Sequence, residues 1–258
     1  MSSSRALSAW LDYYRVPLRD ALDCCRSDGF RLIVPNTAAP ELDPVAMGRT
    51  ARRHLAKHLQ SIGLRIPSLA TEFSGNGLAD STYSDRRLDH LRSALELARD
   101  LSASRASVRI AGLADERSSS LANEMLAHAA ELSDRTGIIL SVHGSTRDTK
   151  PLIQQIRQLN CPTLRLALDT AAVCATSQTG LGSIDCLGEL FLRDGRLHGD
   201  HFEETAFGSG EVDFAQVLSA AESSEVETVA VIRRDTPSGV DALRRGREYI
   251  SSVLGHKT

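Results

Sequence analysis

Short apolar runs alternate along this chain with longer stretches in which apolar residues recur every three or four positions. The first kind reads as buried strand, the second as amphipathic helix. Phe30–Pro35, Leu64–Thr71, Ser107–Gly112, Ile138–His143, Leu164–Asp169 and Val226–Arg233 are the strand-like runs. Arg5–Tyr13 makes a weaker first strand and Arg196–Phe202 (RLHGDHF) a polar seventh. Pro67 weakens the third run, because proline cannot donate to a ladder. Helical periodicity begins at Pro17 and covers Pro44–Ile62, where Ala51, Leu55, Leu59 and Ile62 share a face. It returns after Asp85, which can cap a stripe of Leu88, Leu91, Leu95 and Ala98. Ser118–Arg135, Pro151–Leu159, Ile184–Leu192, the stretch begun by Asp213, and Val240–Leu254 complete the helices. Gly29, Gly63 and Gly137 stand where helices end.

Eight strand–helix alternations at intervals of roughly thirty residues predict a parallel α/β fold. A closed (β/α)8 TIM barrel, one domain over residues 1–258, is the reading; a doubly wound open sheet is the alternative, since periodicity does not show closure. No Gly-x-Gly-x-x-Gly or phosphate-loop lysine motif accompanies the strands, so no nucleotide cofactor is expected. Composition narrows the partners. The 258 residues carry a net charge of −3 and only 4% aromatics, which gives no global attraction to nucleic acid or anionic lipid and no base-stacking surface. Five cysteines without regular spacing read as reduced thiols, and adjacent Cys24 and Cys25 are poorly placed to share a metal ion. The first ten residues lack a signal peptide's apolar core, and no eighteen-residue apolar run occurs. A cytoplasmic protein without membrane or nucleic-acid partners is expected.

In such barrels the reactive side chains project from the C-terminal ends of the strands. Polar residues ending the apolar runs are Glu72, His143, Asp169, His201 with Glu203 and Glu204, and Arg233 with Arg234. A strand-end aspartate can equally cap a helix, a histidine can be a surface residue, and the arginines can be solvated. Convergence on one barrel mouth raises their interest. His143, Asp169 and His201 would make an N₂O ligand set for Zn²⁺ or Mn²⁺. Gly208-Ser209-Gly210 offers backbone N–H groups to a phosphate, or forms a tight turn. The basic run Arg52, Arg53, His54, Lys57, His58 lies on a helix whose outer face is read as solvated.

The segments ARRHLAKHLQSIGLRIPSLATEF, DRRLDHLRSALELARDLSAS, LANEMLAHAAELSDRTGIILSVHG and FGSGEVDFAQVL resemble the sugar-phosphate isomerase/epimerase family of xylose isomerase-like barrels, to which an apurinic/apyrimidinic endonuclease branch is related. The resemblance implies a divalent metal held by a Glu after strand five, an Asp or His after strand six, a His after strand seven and a Glu after strand eight. The metal would polarise a sugar carbonyl while two glutamates move protons around an enediolate. Against that pattern the chain places His143 at the first Glu, Asp169 as expected, Ala172 where many members have His, His201 and Glu204 in an HxxD-like HFEE, and Ile232 or Arg233 at the final Glu. The resemblance therefore implies a divalent-metal-dependent isomerase or epimerase of a small sugar, sugar phosphate or sugar acid with a degenerate site. Metal ligands would be His143, Asp169 and His201; Glu204 and Glu72 would carry protons; Arg233 and Arg234 would grip an anionic group. The alternative is a sugar- or polyol-binding barrel without catalysis or metal. The endonuclease reading is weakest, because neither a fuller set of His, Asp and Glu ligands nor a basic groove is visible. Barrels of this kind also form homodimers.

Overall fold

A computed structural model describes residues 6–175, 184–198, 201–222, 224, 227–237, 239 and 241–255, with backbone alone at 220 and 222. The element starts read at Arg5, Val226 and Val240 lie outside these residues. Strands β1 (Leu7–Trp10), β2 (Leu32–Val34), β3 (Ser68–Thr71), β4 (Arg105–Arg109), β5 (Ile139–His143), β6 (Leu164–Asp169), β7 (Leu187–Leu192) and β10 (Val229–Ile232) form one parallel sheet in the order β2-β1-β10-β7-β6-β5-β4-β3. Its edges meet: the Ile33 N–H donates to the Arg65 carbonyl at 3.0 Å, and the Ala70 N–H to that of Pro35 at 2.9 Å. The sheet is therefore a barrel, not the doubly wound alternative.

Helices α1 (Leu18–Ser27), α2 (Arg49–Ser61), α3 (Ser84–Asp100), α4 (Ser119–Thr136), α5 (Thr149–Leu159), α6 (Thr170–Ala175), α7 (Phe214–Glu222) and α8 (Ala242–Val253) follow the strands. Asp213 caps α7, accepting from the Gln216 N–H at 3.0 Å. The cap read at Asp85 is not made: Tyr83 stands at the N-cap of α3 and Asp85 lies in its first turn. Side chains on a strand point alternately in and out. The outward set, among them Leu140, Val142, Leu166, Leu168, Leu190, Leu192 and Ile232, is buried beneath the helices. Inward, Trp10 and Phe191 meet edge to face at 6.0 Å and fill one side of the barrel. Smaller Ala70, Ser107, Ser141 and Ala167 occupy the other.

Two sequence expectations fail. Ile184–Leu192, read as helix, contains β7, and it pairs with both β6 and β10. Arg196–Phe202, read as the seventh barrel strand, belongs to an antiparallel hairpin of β8 (Asp194–His198) and β9 (His201–Thr205) outside the barrel. A strand buried on both faces shows unbroken apolarity rather than alternation, which periodicity does not separate from a buried helix.

Candidate active site at the barrel mouth

Alternation fixes which side chain each barrel strand offers to the mouth. Counting inward positions from Trp10, Val34, Ala70, Ser107, Ser141, Ala167, Phe191 and Val231, the next inward residues are Asp12, Asn36, Glu72, Arg109, His143, Asp169, Arg193 and Arg233. Five of them, His143, Glu72, Arg233, Arg193 and Asp169, are linked in sequence, with Asp235 of the loop after β10 as a bridge. His143 Nε2 lies 2.6 Å from Glu72 Oε1, and the other Glu72 oxygen is 3.6 Å from an Arg233 nitrogen. Arg233 Nε donates to Asp235 at 3.0 Å, and Arg193 donates to Asp235 at 2.9 Å. Arg193 closes the chain with a two-pronged contact to Asp169, at 3.1 and 2.8 Å.

The electrostatics follow from this chain. Burial on its own would raise the Glu72 carboxyl, but the charge and hydrogen bond of His143 and the charges of Arg233 and Arg109 prevail and hold its pKa at about 2. A carboxylate accepts only, so His143 Nε2 carries the shared hydrogen. Its Nδ1 makes no hydrogen bond among the described residues. Asp169 is likewise held below the carboxylate range: burial opposes this, and Arg193 and Arg233 outweigh burial. Arg233 is kept firmly charged, since Glu72, Asp235 and Asp169 overcome its burial. Its guanidinium lies 4.3 Å from the centre of the Trp10 ring and 5.1 Å from that of Phe191, a cation–π seat. Asp12 is pushed up by burial and by the charge of Glu72, against a hydrogen bond from Asn36 and the charge of Arg233. Arg109 makes no ion pair among the described residues; its Nε donates to the Gly75 carbonyl at 3.1 Å.

A cleft of about 320 Å³ opens at this mouth. Arg109, His143, Asp169, Arg193 and Arg233 line it, with the hydroxyls of Ser145, Thr146 and Thr149 on one side and Phe202 of β9 on another. Phe202 also lies under Arg193, ring centre to guanidinium 5.3 Å, so the hairpin acts as part of the wall.

Of the residues singled out in the sequence, the structure brings Glu72, His143, Asp169 and Arg233 together. His201 is exposed on the hairpin, displaced from the mouth because strand seven is Leu187–Leu192; the side chain at the strand-seven position is Arg193. Glu204 accepts the Asp235 and Thr236 N–H groups, the latter at 2.7 Å, and holds the loop after β10 rather than lining the cleft. Arg234 points away, donates to the Thr205 carbonyl and lies 3.8 Å from Glu204. Ile232 is fully buried on the outer face against α8, so the strand-eight mouth position belongs to Arg233. Gly208 and Gly210 donate their N–H groups to the buried Asp194 carboxylate at 2.7 and 3.1 Å, which fills the place suggested for a phosphate. Arg109 and Arg193 escaped the sequence reading. Counting by two through LGELFLR would have reached Arg193, had that run been read as strand.

The donor set does not fit a divalent ion. Two of the four positions that the family resemblance assigns to ligands carry guanidinium groups, which cannot coordinate, and both facing carboxylates are already neutralised by them. Bringing a second, doubly charged cation beside two partly buried guanidiniums is electrostatically unfavourable. Among the described residues no group of three or more His, Cys, Asp or Glu side chains could hold a metal.

No family model and no curated protein sequence matches the chain. Solved structures do. A zinc-bound IolI protein superposes with a TM-score of 0.78 at 15% identity, covering 97% of this chain and 98% of its own. A xylose isomerase-like TIM barrel protein from Mycobacterium smegmatis in complex with magnesium gives 0.73 at 15% identity, covering 98% and 97%. A xylose isomerase domain protein from Planctomyces limnophilus gives 0.72 at 13% identity, covering 98% and 95%. Both chains are covered nearly end to end in each comparison, and the fold is that of the xylose isomerase-like TIM barrels.

Proposed function

We propose that the mouth cleft binds a small anionic polyhydroxy compound, a sugar acid or sugar phosphate, through guanidinium groups in place of a divalent cation. The observation that carries this reading is Arg193 and Arg233 at the ends of β7 and β10. Arg109, which makes no ion pair among the described residues, supplies a further cation to the same cleft. Guanidinium groups suit carboxylate and phosphate recognition, and the hydroxyls of Thr146 and Thr149 offer donors and acceptors to sugar hydroxyls. The cleft is of the size of a small-ligand pocket. The structural likeness to an IolI protein and to xylose isomerase domain proteins agrees with a sugar-like ligand.

A second reading, an isomerase or epimerase, is favoured by the Glu72–His143 pair. Glu72 fixes the orientation of the imidazole and leaves Nδ1 to take a proton from a carbon beside a carbonyl, while the arginines stabilise the enediolate oxygen. Calorimetric titration of aldonates, sugar phosphates and neutral polyols into protein held in EDTA tests the binding. Anionic ligands are expected to bind and neutral polyols not to. Arg109→Gln, which breaks no ion pair, should weaken the complex about tenfold to a hundredfold. Selective binding of neutral polyols would overturn the proposal. Deuterium uptake into the bound ligand in D₂O, abolished by His143→Gln, would identify the enzyme.

A further inference from the structure

A groove of about 680 Å³ lies away from the mouth, between α2, the end of α3 and the residues leading into β3. Arg49, Arg52, Arg53, Lys57 and Arg65 line it, against a single acidic residue, Asp100. Arg52 is committed to Asp100 at 2.7 Å and to the carbonyls of Pro44 and Met47. Arg49, Arg53, Lys57 and Arg65 make no ion pair among the described residues. The protein carries a net charge of −3, so these cations are concentrated against the overall balance. They are also placed at a cost. Arg49 and Arg53 lie in the first two turns of α2, where the helix dipole disfavours positive charge, and the first turn holds no acidic residue. Gln60 and Ser102 also line it, and its floor is the apolar Ala56, Leu59, Leu64, Ile66 and Leu101, all but Ala56 buried.

We infer that this groove is a docking site for an extended acidic peptide segment of a partner protein, its carboxylates on the α2 row. Arg49, Arg53 and Lys57 recur at four-residue spacing, about 6 Å per step along a helix. Alternate side chains of an extended strand repeat at about 6.7 Å, so every second residue of such a segment meets the next cation. The intervening residues then face the opposite wall. A nucleic-acid strand would match the charges, but no aromatic residue lines the groove to stack a base.

Fluorescence anisotropy of the whole protein with a labelled peptide of about ten residues alternating Glu and Leu, long enough to span the row, tests the inference. Saturable binding is expected, weakening at least about tenfold between low and high salt. It should be lost in Arg49→Glu/Arg53→Glu/Lys57→Glu, whose circular dichroism and mouth-ligand affinity should be unchanged because all three side chains are exposed. A Gln–Leu peptide should not bind. Absence of binding at low salt would overturn the inference. So would affinity for oligo-dT equal to that for the Glu–Leu peptide, or an unchanged affinity in the triple variant.

Discussion

Two carboxylates in this barrel, partly buried Glu72 and fully buried Glu189, carry opposite pH signatures. Glu72 is held at about 2, below its ordinary 4.5, so its contribution to stability is present above pH 4.5 and is lost as the pH falls through 2. Glu189 is fully buried in β7, accepts from the Ser68 hydroxyl at 2.5 Å and is pushed up to about 7: burial and the charge of Glu72 outweigh Ser68, Ser107 and Arg105. Its contribution is present below pH 4.5 and is lost as the pH rises through 7. Each shift corresponds to at most about 3 kcal/mol, less where the pair is shared. Urea denaturation from pH 2 to 8 should therefore show a smaller acid loss in Glu72→Gln and a smaller loss above neutrality in Glu189→Gln. Parallel pH profiles for wild type and both variants would contradict the assignment. Neither shift was legible in the sequence: Glu72 was visible as a strand-end acid, but its partners come from β5 and the end of β10, and Glu189 sat inside a run read as helix.

Among the elements, the run Ile184–Leu192 decides what the sequence could tell. The other barrel strands show β-branched residues, a polar terminus or a flanking glycine, and their reading survived. β7 is apolar on both faces, carries Gly188 at a register shift against β6, and has its one charge buried. Missing it promoted RLHGDHF to the seventh strand and carried His201 and Glu204 into the site in place of Arg193. The glycine turn shows the reverse case. GSGEVDF was legible as a turn leading into a capped helix, yet its partner was not. A Cβ on Gly210 would sit 2.1 Å from Asp194 Oδ1 and 2.4 Å from the Gly195 nitrogen, so only glycine allows the Asp194 carboxylate to be cradled there. Gly210→Ala should cost about 3 kcal/mol in chemical denaturation, whereas Ser209→Ala, at an exposed position between the two glycines, should be near neutral. Equal costs would show that the cradle does not restrain the hairpin that walls the cleft.

Over the whole molecule the barrel scaffold and the chemistry at its mouth have parted. Outward aliphatic residues and helix stripes pack the scaffold, which superposes on xylose isomerase-like barrels with TM-scores of 0.72–0.78 at 13–15% identity. Mouth residues answer to charge instead, and here a chain of ion pairs from His143 to Asp169 runs through two guanidiniums. Arg233, seated on Trp10 and Phe191, supplies fixed positive charge at the strand-eight position. In the function proposed above, this charge stands in for a divalent ion. Isothermal titration of Mn²⁺ into EDTA-treated protein tests it most directly, alongside Arg193→His/Arg233→Glu. No stoichiometric binding is expected of the unmodified protein, and binding should appear in the double variant, where His143, Asp169 and the two new side chains provide four donors. Stoichiometric Mn²⁺ binding by the unmodified protein, abolished by Asp169→Ala, would contradict it.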